Sequence, residues 1–286
     1  MESLKKAIDA FVNAFKIADL RKKLLFTLGV LIIYRIGAHI TIPGVNSAVL
    51  GEYFRNSNNL FGLYDSFTGG AFAKATVFAL GIMPYISASI IIQLMGAVIP
   101  AIQMLQKEGQ EGRAKLNQYT RYFTVVLAAL QGWGVSVWLS NLKVTTAAGT
   151  GISVLLDDFA SGMGNIGFRL LATLTFTTGT IFVMYLGEQI TSRGVGNGIS
   201  LIIFAGIVGG LPRAVFAELE MLVNDIQPLA IEIFILALVV AIVGFIVFVE
   251  QANRRIPLQS PRRTVGTKTI GGQASYLPFK VNTAGV

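Results

Sequence analysis

The residues able to do chemistry in this 286-residue chain are few. There is one histidine, His39, and no cysteine, so disulfides and thiolate metal sites are excluded and zinc has almost no ligands to use. A metalloprotease helix would need a histidine pair that does not exist. The run Gly194-x-Gly196-x-Gly198 has the look of a phosphate loop, but it follows an apolar stretch rather than a strand, and no Lys-Ser/Thr pair comes after it. The same glycines permit a tight turn. Ion-coupled carriers use ionisable groups at mid-membrane. Only Arg35 lies clearly inside an apolar run; Glu188, Glu232 and Glu250 fall near the ends of such runs. Arg35 reads as a structural residue that snorkels or pairs, and His39 as an interfacial one. Neither an enzyme nor a bound cofactor is expected. What the apolar runs do offer is isoleucine. Ile82 and Ile86 are one helical turn apart, as are Ile199 and Ile203. Spaced isoleucines usually face lipid or a packed neighbour; converging ones can form a constriction that closes a pore by dewetting.

The elements that would position them belong to a membrane. Hydrophobic residues make up 53% of the chain and charged residues 13%, against roughly 25% charged in a soluble domain. Mean hydropathy is +0.65. Thirty-one glycines suit closely packed membrane helices. The stretch Leu60 to Gln93 contains two apolar pieces. The first carries Asp65, is interrupted at Gly69-Gly70, and is too short to cross a bilayer core of about 30 Å. The second, Ala75 to Met95, is uncharged and long enough, with a kink expected at Pro84. A short segment beside a full span suggests a helix that enters the membrane and turns back, which persists only where protein or a cavity surrounds it. Composition alone reaches a polytopic membrane protein of channel or carrier type.

In chain order, Leu4, Ile8, Phe11, Val12 and Phe15 share one helical face, which predicts an amphipathic helix at the membrane surface within residues 1–23. A first span is expected from Leu24 to about Ile42; the segment before it is too long for a signal peptide, and Arg35 interrupts the apolar run. Further spans are expected at Ala75–Met95, Tyr122–Leu139, Leu170–Gly187, Ile199–Leu211 and Leu229–Val249. Charged or polar loops at 103–121 and 141–167 and the turn GEQITSRGVGNG join them, and a basic tail covers 251–286. On the side of the amino terminus the loops hold Lys5, Lys6, Lys16, Arg21, Lys22 and Lys23, then Lys107, Arg113, Lys115 and Arg121, then Arg193, then every Lys and Arg from Arg254 onward. The opposite loops hold only Arg55, Lys74, Lys143, Arg169 and Arg213. The bias predicts both ends of the chain in the cytosol.

The strings YRIGAHITIPG (34–44), FALGIMPYISASIIIQL (78–94), KEGQEGR (107–113), QYTRY (118–122), GEQITSRGVGNGIS (187–200), NRRIP (253–257) and LPFKVNTAGV (277–286) resemble the SecY family of bacterial protein-conducting channels, and the likeness covers essentially the whole chain. The resemblance implies an all-α polytopic membrane protein: six transmembrane helices over residues 24–250 plus a short re-entrant plug helix at 60–70, forming one half of a ten-helix, pseudo-symmetric channel. The sequence supplies the first half, up to the loop before the seventh span. By the same resemblance Leu60, Phe61, Gly62, Leu63, Tyr64, Asp65, Ser66, Phe67, Thr68, Gly69 and Gly70 form the plug. Ile82, Ile86, Ile199 and Ile203 match pore-ring positions. Ser87, Ile90, Ile91 and Gln93 resemble one side of the lateral gate, and Arg254 and Arg255 a cytosolic loop that docks the ribosome or the SecA motor ATPase. Arg262 and Arg263 need no role beyond topology. The implied function is conduction of unfolded polypeptides across the cytoplasmic membrane of a bacterium and lateral release of membrane segments into the lipid bilayer, with SecE-like and SecG-like subunits as partners and secretory and membrane proteins as substrates. The competing reading is a secondary transporter, in which broken helices also occur. A transporter should bring polar groups together at mid-depth, whereas this chain offers mainly Ile, Ala and Ser.

Overall fold

A computed structural model describes residues 16–56, 60–145, 151–156, 159, 162–224, 228–258, 263–265, 268–270 and 275–280. The expected amphipathic helix at the amino terminus lies outside the described residues up to position 15, as does Arg262. The chain divides into two compact units, residues 1–212 and 213–286.

The spine of the first unit is a pair of long antiparallel helices, α6 (Gln110–Asn141) and α7 (Gly162–Arg193). On α6 the buried positions from 120 to 136 are small and recur every fourth residue: Thr120, Thr124, Ala128, Gly132 and Ser136. On α7 they are Phe168, Ala172, Phe176 and Thr180, at the same spacing. Small residues let two membrane helices approach closely where lipid offers no hydrophobic drive between them. Most hydroxyls on this seam bond back to their own helices, among them Thr124 Oγ1 to the Thr120 carbonyl at 2.7 Å and Thr173 Oγ1 to the Arg169 carbonyl at 2.6 Å. These side chains thus enter an apolar contact already satisfied, whereas Thr180 Oγ1 is buried with no partner among the described residues. One end of the pair is tied by Arg121 and Glu188, 2.6 Å apart, and the other by Arg169 Nε donating to Ser140 Oγ at 3.1 Å.

Around this spine stand α1 (Ala18–Gly37), α2 (Ser47–Asn56), α3 (Leu60–Thr68), α4 (Met83–Val98), α5 (Pro100–Lys107) and the 198–212 portion of α8 (Gly198–Val223), whose remainder belongs to the second unit. Asn46 caps α2 through its Oδ1, and Asn197 caps α8 by accepting from the Ile199 and Ser200 amides at 3.1 and 3.4 Å. The GVGNG run therefore serves as a turn and cap. Short strands β1 (Lys143–Thr145) and β2 (Gly151–Ser153) pair antiparallel.

The helix at Met83 departs from expectation. Residues 71–82 are turns, not helix, and α4 begins with Pro84 in its first turn. Proline is tolerated there because that amide would have no intrahelical partner anyway, so Pro84 starts the helix instead of kinking it. Ala75 and Gly81 adopt φ of 46° and 55°, which no α-helix accommodates. The turn segment is buried and pinned by backbone bonds: the Ile42 amide to the Ala75 carbonyl at 3.0 Å and the Val77 amide to the Ile40 carbonyl at 2.9 Å. Its other side lies against α7 at Gly179, where any Cβ would strike the Val77 carbonyl oxygen.

Other boundaries shift too. Most of the loop expected at 103–121 is helical, because α6 continues well past its apolar portion and α5 precedes it, meeting α4 at a bend of 103°. Among the described residues, four helices are long and apolar enough to cross a membrane, or five if the bent α4–α5 pair is one span. The first expected span, α1, has 20 residues but carries Asp19, Arg21, Lys22, Lys23 and Arg35.

In the second unit α9 (Leu229–Gln251) is apolar on every face, and Phe234, Phe245 and Phe248 are all exposed, as a lipid-facing span requires. The tail expected as a loop forms antiparallel ribbons: β3 (Asn253–Leu258) with β6 (Ser275–Lys280), and β4 (Arg263–Val265) with β5 (Lys268–Ile270).

Gly179→Ala should lower the melting temperature of the detergent-solubilised protein sharply, because its methyl meets backbone that cannot rotate away. Gly167→Ala, in the same helix with open space around it, should be neutral or stabilising by up to about 1 kcal/mol. Equal effects would refute the close approach at Val77.

Candidate functional site

The site forms where α3 meets the turn segment. At its carboxyl end α3 closes with two backbone bonds, Gly70 amide to Asp65 carbonyl at 3.0 Å and Gly69 amide to Ser66 carbonyl at 3.3 Å. That is a Schellman cap, and Gly69 takes the left-handed φ of 67° it demands. Two side chains then fix the cap to the start of the turn segment. Asp65 Oδ1 accepts from the Ala73 amide at 2.7 Å, and Thr68 Oγ1 accepts from the Phe72 amide at 3.3 Å. Burial pushes the Asp65 carboxyl above the usual carboxylate range, against the opposing pull of the Ala73 and Phe72 amides, Lys74 and Thr68.

Two further contacts seat α3. Tyr64 donates its hydroxyl to the Leu80 carbonyl at 3.0 Å, and its ring meets Phe72 edge-on at 4.9 Å. Phe72 in turn stacks on Trp138 of α6 at 6.0 Å, with Tyr53 and Phe54 of α2 edge-on to Trp138. On the opposite side Arg35 Nη1 donates to the Gly69 carbonyl at 3.2 Å. Gly62 and Ser66 stand on the same helix, Ser66 exposed; the side chains of Leu60, Phe61 and Leu63 lie outside the described portion.

Beside α3 is a cavity of about 270 Å³. Phe67 and Thr68 of α3 line one side. Ile82, Met83 and Ile86 line a second, and Ile202 and Ile203 of α8 a third, with Tyr34 of α1 and Gly81 completing the wall. Three of the four isoleucines singled out by spacing therefore converge. The fourth, Ile199, does not line this cavity; it is half-buried and packs over Gly187 of α7. Ile202, not among those four, lies fully buried in the wall. Its signal was available: it follows Ile199 by three residues, the other near-turn spacing. The cavity offers no charged group, and its hydroxyls are those of Tyr34 and Thr68.

Along α4, Ser87 and Ile91 are half-buried while Ile90 and Gln93 are exposed. Gln93 Nε2 donates within its own helix, to Ser89 Oγ at 3.2 Å. Arg254 and Arg255 are both exposed on β3, opposite Phe279 and Pro278 of β6. As successive strand residues they project to opposite faces of the ribbon.

Known proteins share this architecture. A SecY family profile matches residues 76–286. The chain is 45% identical over 98% of its length to protein translocase subunit SecY of Streptomyces scabiei, covering 63% of that protein. It is 47% identical to the Pseudomonas aeruginosa protein of the same name over 98% of this chain and 60% of that one. The chain thus spans roughly three fifths of the length of these relatives. Among solved structures, a protein-conducting channel superposes with a TM-score of 0.57 at 20% identity, over 91% of this chain and 52% of the other. Sec61 in the canine ribosome–channel complex from the endoplasmic reticulum gives 0.52 at 20% identity, over 83% and 49%. At such identity these structures establish the fold alone, that of a helical multi-pass membrane protein.

The raised pKa of Asp65 gives the seat of α3 a pH dependence. A carboxyl whose pKa is higher in the seated than in the released state holds its proton more tightly when seated, so protonation favours seating. As pH falls from neutrality through the carboxylate range, the seated population should grow, and Asp65→Asn should abolish the dependence. Spin labels on cysteines introduced at Ser66 and Lys143 of the full-length protein would report it as a distance distribution. A seat that loosens on acidification would contradict burial as the dominant influence.

Proposed function

The chain belongs to the SecY family, and from that premise we propose that it forms the first half of the central pore of a protein-conducting channel, passing unfolded polypeptide across the membrane and releasing apolar segments sideways into lipid. The observation that carries the reading is the uncharged cavity beside α3, lined by Ile82, Ile86, Ile202 and Ile203. A pore for polypeptide must admit every side-chain type and bind none. Branched aliphatic walls meet that requirement: they offer no fixed hydrogen-bond partner to a passing chain, and a narrow apolar passage sheds water and so resists ions. A solute carrier would need convergent polar groups at this place.

In this reading α3, with its Gly69-Gly70 hinge, is the plug, and the isoleucines are the ring it covers. Ile199 belongs to the support of the ring, through its packing on Gly187, more than to its lumen. Ser87, Ile90, Ile91 and Gln93 on α4 form one side of the lateral gate, with exposed Gln93 available to a partner in the second, pseudo-symmetric half. SecE-like and SecG-like subunits complete the membrane assembly. The protein is not itself an enzyme; work comes from the SecA ATPase or an elongating ribosome. Arg254 and Arg255 serve that docking, and because they face opposite sides of the ribbon, each addresses a different part of the partner. Phosphates or carboxylates are the natural counterparts of such guanidinium groups. The bias of Lys and Arg supports a cytosolic amino terminus and ribbon.

The test uses the absence of native cysteine from these 286 residues, with any cysteine elsewhere in the complete channel replaced by serine. A cysteine at Ile86 of the complete channel and one in a secretory protein stalled midway should form a disulfide only while the stalled chain is present. If none forms as the substrate cysteine is moved along its sequence, the pore assignment fails. Ile86→Gly with Ile203→Gly should raise resting ion conductance in bilayer recordings several-fold, and Ile199→Gly should raise it less; the reverse order would remove the cavity from the conduction path. Arg255→Glu should weaken SecA or ribosome binding while the membrane fold persists; full binding at moderate salt would leave the charge with topology only.

A further inference from the structure

Resting on the plug reading above, we propose that Arg35 is a positioning residue that latches the plug shut. Arg35 is half-buried in the last turn of α1, within an otherwise apolar run. Among the described residues no carboxylate lies within ion-pairing distance of it. The partner it has is the Gly69 carbonyl, 3.2 Å from Nη1. That carbonyl sits at the end of a helix where unpaired carbonyls concentrate partial negative charge, so a cation is held there by both the hydrogen bond and the helix dipole.

The place is shaped for the contact. A Cβ on Gly209 of α8 would stand 3.0 Å from Arg35 Nη1, 3.1 Å from Cζ and 3.2 Å from Nη2, so the guanidinium lies flat against that glycine. One turn earlier, a Cβ on Gly206 would stand 3.1 Å from the Phe67 carbonyl oxygen, and a Cβ on Gly69 would stand 2.7 Å from the Gly206 carbonyl oxygen. The end of α3 therefore rests on bare backbone of α8 at Gly206, and Arg35 reaches across Gly209 to hold it. The root of the latch is fixed as well: the Arg35 carbonyl can only accept, so His39 Nδ1 carries the proton that bonds to it at 2.9 Å.

The consequence is a division of bonds. The Schellman cap lies within residues 65–70 and can travel with the plug, whereas the Asp65, Thr68 and Tyr64 side chains bond to the pinned segment at Ala73, Phe72 and Leu80. The Arg35 bond crosses to another helix and must break for the plug to leave. It sits beside Phe67, which lines the cavity. A chain entering the cavity displaces Phe67 and so pulls directly on the latched carbonyl, which couples entry of substrate to release of the plug.

The experiment is resting conductance of the complete channel in planar bilayers. It compares Arg35→Ala, Arg35→Lys, Gly209→Val, a channel whose residues 60–70 are replaced by a short Gly/Ser link, and Arg35→Ala in that plug-less background. Arg35→Ala should raise conductance about tenfold or more, the scale of one lost charge-assisted bond. Arg35→Lys should fall between, and Gly209→Val, which crowds the guanidinium without removing it, should also leak. In the plug-less channel Arg35→Ala should add nothing. If it adds its full effect there, Arg35 acts through the fold and the latch is refuted. If Arg35→Ala stays tight while plug removal leaks, the latch is refuted and the plug reading survives. If plug removal itself stays tight, the plug reading fails and the latch with it.

Discussion

Non-helical backbone enclosed among apolar helices persists only if each of its amides and carbonyls finds a partner inside the protein, because neither lipid nor a dry core supplies one. Residues 69–82 are such backbone, and the first unit depends on how they are satisfied. The Ile40–Ile42 strand-like stretch takes up Ala75 and Val77, the Asp65 and Thr68 side chains take up Ala73 and Phe72, and Tyr64 takes up Leu80. α7 withdraws at Gly179 to let the Val77 backbone in. These bonds fix where α4 starts, hence where Ile82 and Ile86 stand, and they fix the floor on which α3 rests.

The cavity is a product of that arrangement. A continuous helix from Ala75 would have carried Ile82 into a regular lipid-facing or packed position. Starting the helix at Met83 leaves Ile82 at its N-cap, turned toward α8, and opens a space between α4, α8 and α1. The residues around it are uncharged, and four of them are isoleucines with stiff, branched side chains. Thr68, at its edge, is already committed to α3 and to the Phe72 amide.

Attachment of α3 is strong on one side and sparse on the other. Toward α6 it is held by stacked and edge-on rings running from Tyr64 through Phe72 to Trp138. Toward α8 its end meets the backbone of Gly206 and the Arg35 guanidinium, which itself lies against Gly209. The left-handed glycines Gly69 and Gly70 lie where α3 joins the turn segment.

The sequence by itself determined the class. The length and apolarity of α6, α7, α8 and α9, the brevity of the Leu60–Thr68 piece, the glycine hinge and the glycine-rich turn before α8 were all legible, because each rests on contacts between near neighbours along the chain. The family was legible in seven separate strings. The boundaries were less so. Helices α6 and α8 overran their apolar portions because charged and polar residues such as Glu111, Lys115 and Glu218 continue a helix as readily as apolar ones once it has formed. The break at 71–82 was hidden, since its residues read as an apolar span and only bonds to residues far earlier in the chain, Ile40 and Ile42, hold them out of a helix. For the same reason tertiary structure alone decided that Ile202 enters the cavity wall while Ile199 packs on Gly187, that Arg254 and Arg255 diverge on a ribbon, and that Arg35 faces Gly69. Periodicity states which residues share a face; which neighbour meets that face depends on contacts distant in sequence.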